Sequence, residues 1–327
     1  MQRRSFGTSD LETSAIGVGT WAWGSDWWGG HEDPSAIVAR ALDLGVTFFD
    51  TGDTYGQGLN EELVGAALAS TGAPRDSYEL ATKFGYVLHS ERGSHAESER
   101  PHDWAPDRAR RSLEASLRRL RTDYIDLYQL HNPRMDALER DALFAALDQL
   151  KAEGKLRHYG VALGPKIGWR DEGVRALRER PITSLQTVYN LLEQEPGAEF
   201  LEVAQERGAG VIARVPTSSG LLEGNLTLDH EFTGNDHRRH RPRSWLVDGL
   251  QKVEQLRFLE RDGERTLAQA AYKFILAQPA IATVVHTVTT VAELEEWAGA
   301  DAVPDLDEDE LARIDELYRA GFGLATA

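Results

Sequence analysis

Eight times along this chain, a short run rich in β-branched and aromatic residues gives way to a longer segment with apolar residues at helical spacing. A helix between two strands returns the chain to the edge it left, so such alternation builds a parallel sheet. The runs are Ala15–Val18, Val46–Asp50, Tyr78–Lys83, Tyr124–His131, Arg157–Ala162, Ser184–Tyr189, Gly210–Val215 and Ile281–Val288. The segments between and after them read as helices over 34–44, 60–69, from Pro106 onward, 136–153, 174–180, 198–207, 245–260, 267–277, 291–300 and 307–318. Pro106 suits a first helical position, and Leu113, Leu117 and Leu120 form an apolar stripe behind it. A hairpin is expected through Phe6–Asp10. No composition break divides the chain, which disfavours a doubly wound sheet with an added domain. The pattern predicts one domain over 1–327, a single (β/α)8 TIM barrel with an N-terminal β-hairpin.

Polar residues stand where three of these strands hand over to loops. Asp50 closes Val46-Thr47-Phe48-Phe49, Lys83 closes Tyr78-Glu79-Leu80-Ala81-Thr82, and His131 closes Tyr124–Leu130. Tyr55 follows Asp50 by five residues in Asp50-Thr51-Gly52-Asp53-Thr54-Tyr55. Neighbouring parallel strands would gather all four at one rim, the catalytic face of such barrels. A cation within about 4 Å of a phenolic oxygen stabilises the phenolate by roughly 4 kcal/mol at an effective dielectric near 20, less if solvent intrudes. Lys83 would thus prime Tyr55 as a proton donor, with Asp50 holding Lys83 charged and His131 bonding a carbonyl oxygen. Such a set suits reduction of a carbonyl. Long connections at Gly85–Ala105 and Leu222–Ser244 follow strand C-termini, as functional lids do.

Composition narrows the partners. The formal net charge of −17 over 327 residues opposes binding to nucleic acid or anionic membranes. Cysteine is absent, which excludes disulfides, thiolate metal sites and cysteine nucleophiles. No metal is expected, because His237 and His240 have no clear accompanying ligand set. The N-terminus shows no signal-peptide core and no run reaches membrane-spanning length, so a cytoplasmic protein with a small-molecule carbonyl or alcohol substrate is expected. Oligomeric state is not encoded in any pattern here.

Val46–Gly56, Ala81–Gly85, Thr122–Pro133 and Glu153–Val161 resemble the signature segments of the aldo-keto reductases, and the likeness runs from Gly17-Val18-Gly19-Thr20-Trp21 to Ala292–Ala300. The resemblance implies hydride transfer from NADPH or NADH to an aldehyde, ketone or sugar. It makes Tyr55 the acid and completes a tetrad with Asp50, Lys83 and His131. It also implies cofactor contacts at Gly19, Thr20, Trp21, Asp50, Gln186, Arg214, Val215, Pro216, Thr217, Gly220, Leu221, Thr287, Thr289, Glu293, Glu296 and Trp297.

Some of these positions depart from the family pattern. Gly160-Val161-Ala162-Leu163 stands where Gly-Val-Ser-Asn is usual, and Arg214 where an aromatic residue stacks on nicotinamide. Thr289 replaces the arginine that grips the 2′-phosphate of NADP, with acidic Glu293 and Glu296 nearby, which should weaken NADP relative to NAD. Two other readings stand beside the reductase. One is a non-catalytic or redox-sensing homologue with impaired cofactor binding, and the other a lyase forming a Schiff base on Lys83.

Trp21, Trp23, Trp27 and Trp28 crowd the loop after the first strand, and Trp21 and Trp28 are the candidates for a substrate wall beside Tyr55 and His131. The basic island Asp236–Arg243 would attract an anionic substrate or an acidic subunit, or simply be a solvated loop.

Overall fold

The computed structural model describes residues 1–24, 30–88, 100–164 and 169–324. Eight parallel strands close on themselves: β3 (Ile16–Gly19), β4 (Phe48–Asp50), β5 (Glu79–Phe84), β6 (Ile125–His131), β7 (Leu156–Ala162), β8 (Ser184–Val188), β9 (Gly210–Arg214) and β10 (Ile281–Thr287), with β10 pairing back onto β3. The expected (β/α)8 barrel is present, and so is the antiparallel hairpin of β1 (Arg3–Ser5) and β2 (Glu12–Ser14).

Helices α1 (Pro34–Asp43), α2 (Leu59–Thr71), α3 (Pro106–Leu120), α4 (Met135–Leu138), α5 (Asp141–Ala152), α6 (Arg170–Glu179), α7 (Gly197–Arg207), α8 (Arg243–Gln255), α9 (Leu267–Leu276), α10 (Val291–Gly299) and α11 (Glu308–Arg319) surround it. Their starts are written locally. Asp33 accepts from Ser35 N ahead of Pro34, and α9, α10 and α11 open on capping boxes at Thr266/Gln269, Thr290/Glu293 and Asp307/Glu310. On α3, Leu113 and Leu120 are buried as the stripe requires.

Three helices differ from expectation, the segment 174–180 beginning four residues earlier, at Arg170, and ending at Glu179. The segment 136–153 is two helices, not one: the backbone leaves the helix at Arg140, with ψ of 88°, and the carbonyl of Leu138 accepts a hydrogen bond from Arg180 Nε in place of the helical ladder. The segment 245–260 begins earlier, at Arg243, and ends at Gln255 before a separate turn over Arg257–Leu259.

The hairpin plugs the barrel at the N-terminal ends of the strands. Phe6 and Leu11 pack there with Phe48, Ala81, Leu127, Ile212 and Ala282. The Arg4 guanidinium pins the plug through the carbonyls of Ile281, Leu276 and Gln278 at 2.7–2.9 Å. Among the described residues, no helix is long and apolar enough to cross a membrane. The open rim therefore lies at the strand C-termini, where the polar residues gather.

Candidate active site

Strand register determines which side chains meet. Asp50 pairs with Ala81 on β5, and Lys83 lies two residues further along that strand, opposite Gln129 of β6. The loop after β4 then runs along β5, with Thr51 N donating to Ala81 O and Asp53 N to Lys83 O at 2.9 and 3.1 Å. Tyr55 turns back over it, its N–H on Gly52 O, and a Cβ at Gly52 would sit 3.3 Å from the phenol ring. A short turn over Tyr55–Gly58 holds this position, with φ of 54° at Gly56 and 56° at Gln57.

Lys83 is 1% exposed. Its Nζ donates to Asp50 Oδ2 and, at 2.8 Å, to Thr51 O, and lies 5.0 Å from the Tyr55 ring centroid. Burial works to discharge this amine, but Asp50 and Tyr55 outweigh it and hold Lys83 above its ordinary value. The other Asp50 oxygen accepts from Gln129 Nε2 at 3.0 Å and Gln186 Nε2 at 3.1 Å. A carboxylate bonded on both oxygens has no freedom to swing away from the ammonium.

The His131 ring meets Tyr55 edge-on, centroids 5.6 Å apart at 83°. Burial first, then Lys83, His102 and Arg214, push its imidazole well below the usual histidine value. Its Nδ1 is buried without a partner among the described residues. The structure thus brings Asp50, Tyr55, Lys83 and His131 to one rim. Arg214 joins them from the end of β9, donating to Leu163 O at 3.1 Å, within the electrostatic reach of Tyr55, Glu193 and Asp50.

The positions implied for a cofactor form a path along the rim. Gln186 sits beside Asp50, at the tetrad. Gly19 packs so tightly on the backbone of β10 that a Cβ would lie 2.7 Å from His286 O. The Thr20 hydroxyl is within hydrogen-bond distance of Asn60 Oδ1 at 2.7 Å, and Trp21 meets His237 edge-on at 5.3 Å.

Beyond β9, the backbone takes left-handed φ at Val215 (59°), Ser218 (51°), Ser219 (59°) and Gly220 (95°). Pro216 and Leu221 are buried in this turn, and Asn190 Nδ2 secures Val215 O at 2.9 Å. Arg238 Nη1 reaches Ser219 O at 3.2 Å, and Arg241 Nη2 reaches Ser219 Oγ at 3.5 Å. The basic island is therefore folded against this turn, with Arg238 also paired to Asp236.

The far end of the path is acidic. Glu293 Oε2 accepts from Thr289 N, Thr289 Oγ1 and Thr290 N at 2.9, 2.7 and 3.1 Å, capping α10. Glu296 accepts from Thr266 Oγ1 at 2.6 Å. Trp297 stacks on His286 at 3.6 Å, just below Thr287, the last residue of β10. Thr217 Oγ1 contacts Glu223 at 2.7 Å and His286 Nε2 at 3.3 Å. Burial, reinforced by Glu293, raises the Glu223 carboxyl above its ordinary value, the Thr217 contact only partly offsetting it.

Trp23 is a core residue, fully buried with its indole N–H on Val288 O at 2.7 Å. Trp27 and Trp28 lie outside the described residues. Sequence reasoning did not find Gln129, Tyr86 or His102. Gln129 carried a signal, since it precedes His131 by two on one strand and so shares its face. Tyr86 and His102 carried none, because a loop brings them together. Among the described residues, no group of three or more His, Cys, Asp or Glu is arranged to hold a metal.

Comparison with known proteins agrees with the barrel. The aldo/keto reductase family matches residues 15–319. Aldo-keto reductase YhdN of Bacillus subtilis (strain 168) is 33% identical over 290 residues, covering 85% of this chain and 82% of that protein. The uncharacterized oxidoreductase YqkF of the same organism is 29% identical over 330 residues, covering 98% and 99%. Among solved structures, the holo form of aldo-keto reductase AKR11C1 from Bacillus halodurans superposes with a TM-score of 0.76 at 29% identity, covering 97% of this chain and 96% of that one. The glycerol dehydrogenase AKR11B4 from Gluconobacter oxydans gives 0.83 at 25% identity, covering 99% and 97%.

Proposed function

The chain belongs to the aldo/keto reductase family, and we propose that it reduces an aldehyde, ketone or sugar carbonyl with a nicotinamide cofactor, Tyr55 giving the proton. The observation that carries this reading is the Lys83 ammonium, locked to Asp50 and lying 5.0 Å from the Tyr55 ring centroid.

The donor set along the rim fits a dinucleotide. Gln186 offers a carboxamide beside the tetrad, and the turn with left-handed Val215, Ser218, Ser219 and Gly220, with Arg238 and Arg241 on Ser219, suits a diphosphate. Cofactor, when bound, supplies the hydride. Tyr55 Oη passes its proton to the substrate oxygen as negative charge develops there. Lys83 Nζ stabilises the tyrosinate left behind, and Asp50, fixed by Gln129 and Gln186, keeps that charge in place. His131, which burial keeps uncharged near neutral pH, directs the carbonyl oxygen toward Tyr55. An amine held protonated by a carboxylate is a poor nucleophile, which weighs against the Schiff-base alternative.

NADH is the better match of the two reduced cofactors. A 2′-phosphate at the far end would meet the capping carboxylate of Glu293, with Glu223 close behind and Thr289 in place of a cation. Fluorescence titration with NADH and NADPH tests the reading: NADH should bind at least tenfold more tightly, about 1.4 kcal/mol. Binding of neither would remove the oxidoreductase assignment. The glycerol dehydrogenase among the structural relatives makes small polyols and their carbonyl partners the first substrates to screen.

A further inference from the structure

The segment after β5 returns on itself at its base. Val87 N donates to Pro101 O and Asp103 N to Gly85 O, both at 2.8 Å, and Tyr86 pairs antiparallel with His102. This base delivers two rings to the active site. Tyr86 stacks on His102 at 4.1 Å and meets the His131 ring edge-on at 5.0 Å and 79°. Trp104 stacks behind His102 at 5.0 Å and meets Phe84 at 5.8 Å, and Phe84 stacks on Tyr128 at 4.4 Å. A continuous column of rings therefore runs from the barrel wall to His131.

Two hydrogen bonds seat the end of that column. Asn132 Nδ2 donates to Tyr86 Oη at 2.7 Å, from a backbone held at φ 54°. His102 Nε2 donates to the His131 carbonyl at 3.1 Å. The residue that follows His131 thus grips the ring that lies against His131.

We propose that Tyr86 is a positioning residue for His131, its ring fixing the plane of the imidazole and excluding water from it. The proposal rests on the carbonyl-reductase reading, which assigns His131 to the substrate oxygen. Among the described residues, the groups facing His131 are Lys83 on β5, Tyr55 after β4, His102 and Tyr86 on the two limbs of the loop base, and Arg214 on β9. Among the described residues, no carboxylate is among the groups acting on His131, so water is what the imidazolium lacks there. Opening the site by removing the Tyr86 ring lets the imidazole protonate at a higher pH, although Lys83 and Arg214 still oppose its charge.

The test compares Tyr86→Ala and Tyr86→Phe by two readouts: the pH profile of kcat/KM for carbonyl reduction, and NMR titration of labelled histidine, with His131→Asn assigning the signal. In Tyr86→Ala the His131 titration, and the acid limb with it, should move up by about one pH unit, with kcat down roughly tenfold and cofactor KM unchanged. Tyr86→Phe keeps the ring and should leave the titration where it is. Should Tyr86→Ala fail to fold, Tyr86→Leu takes its place with the same expectations. A His131 titration unmoved when the ring is lost overturns the proposal, as does an equal shift in Tyr86→Phe. The two ideas fail separately. If the wild type reduces no carbonyl but the titration still moves, Tyr86 keeps its role and the reductase reading falls. If reduction is robust and the titration does not move, the reverse holds.

Discussion

Asp50 accepts on both oxygens, from Lys83 on one side and from Gln129 and Gln186 on the other. That arrangement separates two kinds of substitution. Tyr55→Phe removes a proton and little else, so steady-state reduction should fall by about 10²–10⁴ while NADH still quenches or enhances fluorescence as before. Lys83→Met removes a charge from a buried pair. It should abolish reduction and also lower the thermal midpoint, because an unpaired buried carboxylate costs about 3–5 kcal/mol. A Lys83→Met protein with full activity would exclude the proton-donor mechanism and the Schiff base together. The four rim residues were legible because each follows or closes a run whose β character is plain. Thr289, Glu293 and Glu296 were legible only as identities. Their engagement in the α10 cap and with Thr266 depends on partners that the primary sequence does not announce.

At the level of elements, alternation revealed every barrel strand to within a residue or two, since period and length there reflect burial on both faces. It missed the interruption between α4 and α5. That break falls at Arg140, whose ψ of 88° leaves the helix, and Arg180, distant in sequence, takes the freed Leu138 carbonyl. It also missed what the loop after β5 does at its base, where contact is made by chain reversal and no periodicity exists to read. Gly85 is the residue that permits that reversal. Its φ is +135°, and an added Cβ would lie 2.2 Å from the Trp104 ring. Gly85→Ala should therefore cost at least about 2 kcal/mol in urea denaturation and impair reduction, since Lys83 lies only two residues away. An unchanged urea midpoint would show that the loop base is not held as tightly as its geometry indicates.

For the molecule as a whole, one buried and two half-buried imidazoles contribute to how stability responds to acid. Burial lowers His286 to about 3 and His237 to about 4, and holds His131 well below its ordinary value. Unfolded, these rings would take up protons as the pH falls through about 6.5, whereas folded they do not. The unfolded state therefore binds more protons, and stability present above pH 6.5 is lost progressively toward pH 4. Urea denaturation at pH 7 and pH 5 should show that loss, and His286→Gln should reduce it. Loss of stability toward acid that is identical in His286→Gln and the wild type would mean the His286 ring is not shielded in solution.

The hairpin stopper has a kinetic corollary. With Phe6 and Leu11 filling one end, the barrel is closed there among the described residues, and the rim at the strand C-termini is the end left to receive a ligand. On the carbonyl-reductase reading, a reactant seated deeper would have to enter first and leave last, an order set by the architecture before any side chain at the rim is chosen.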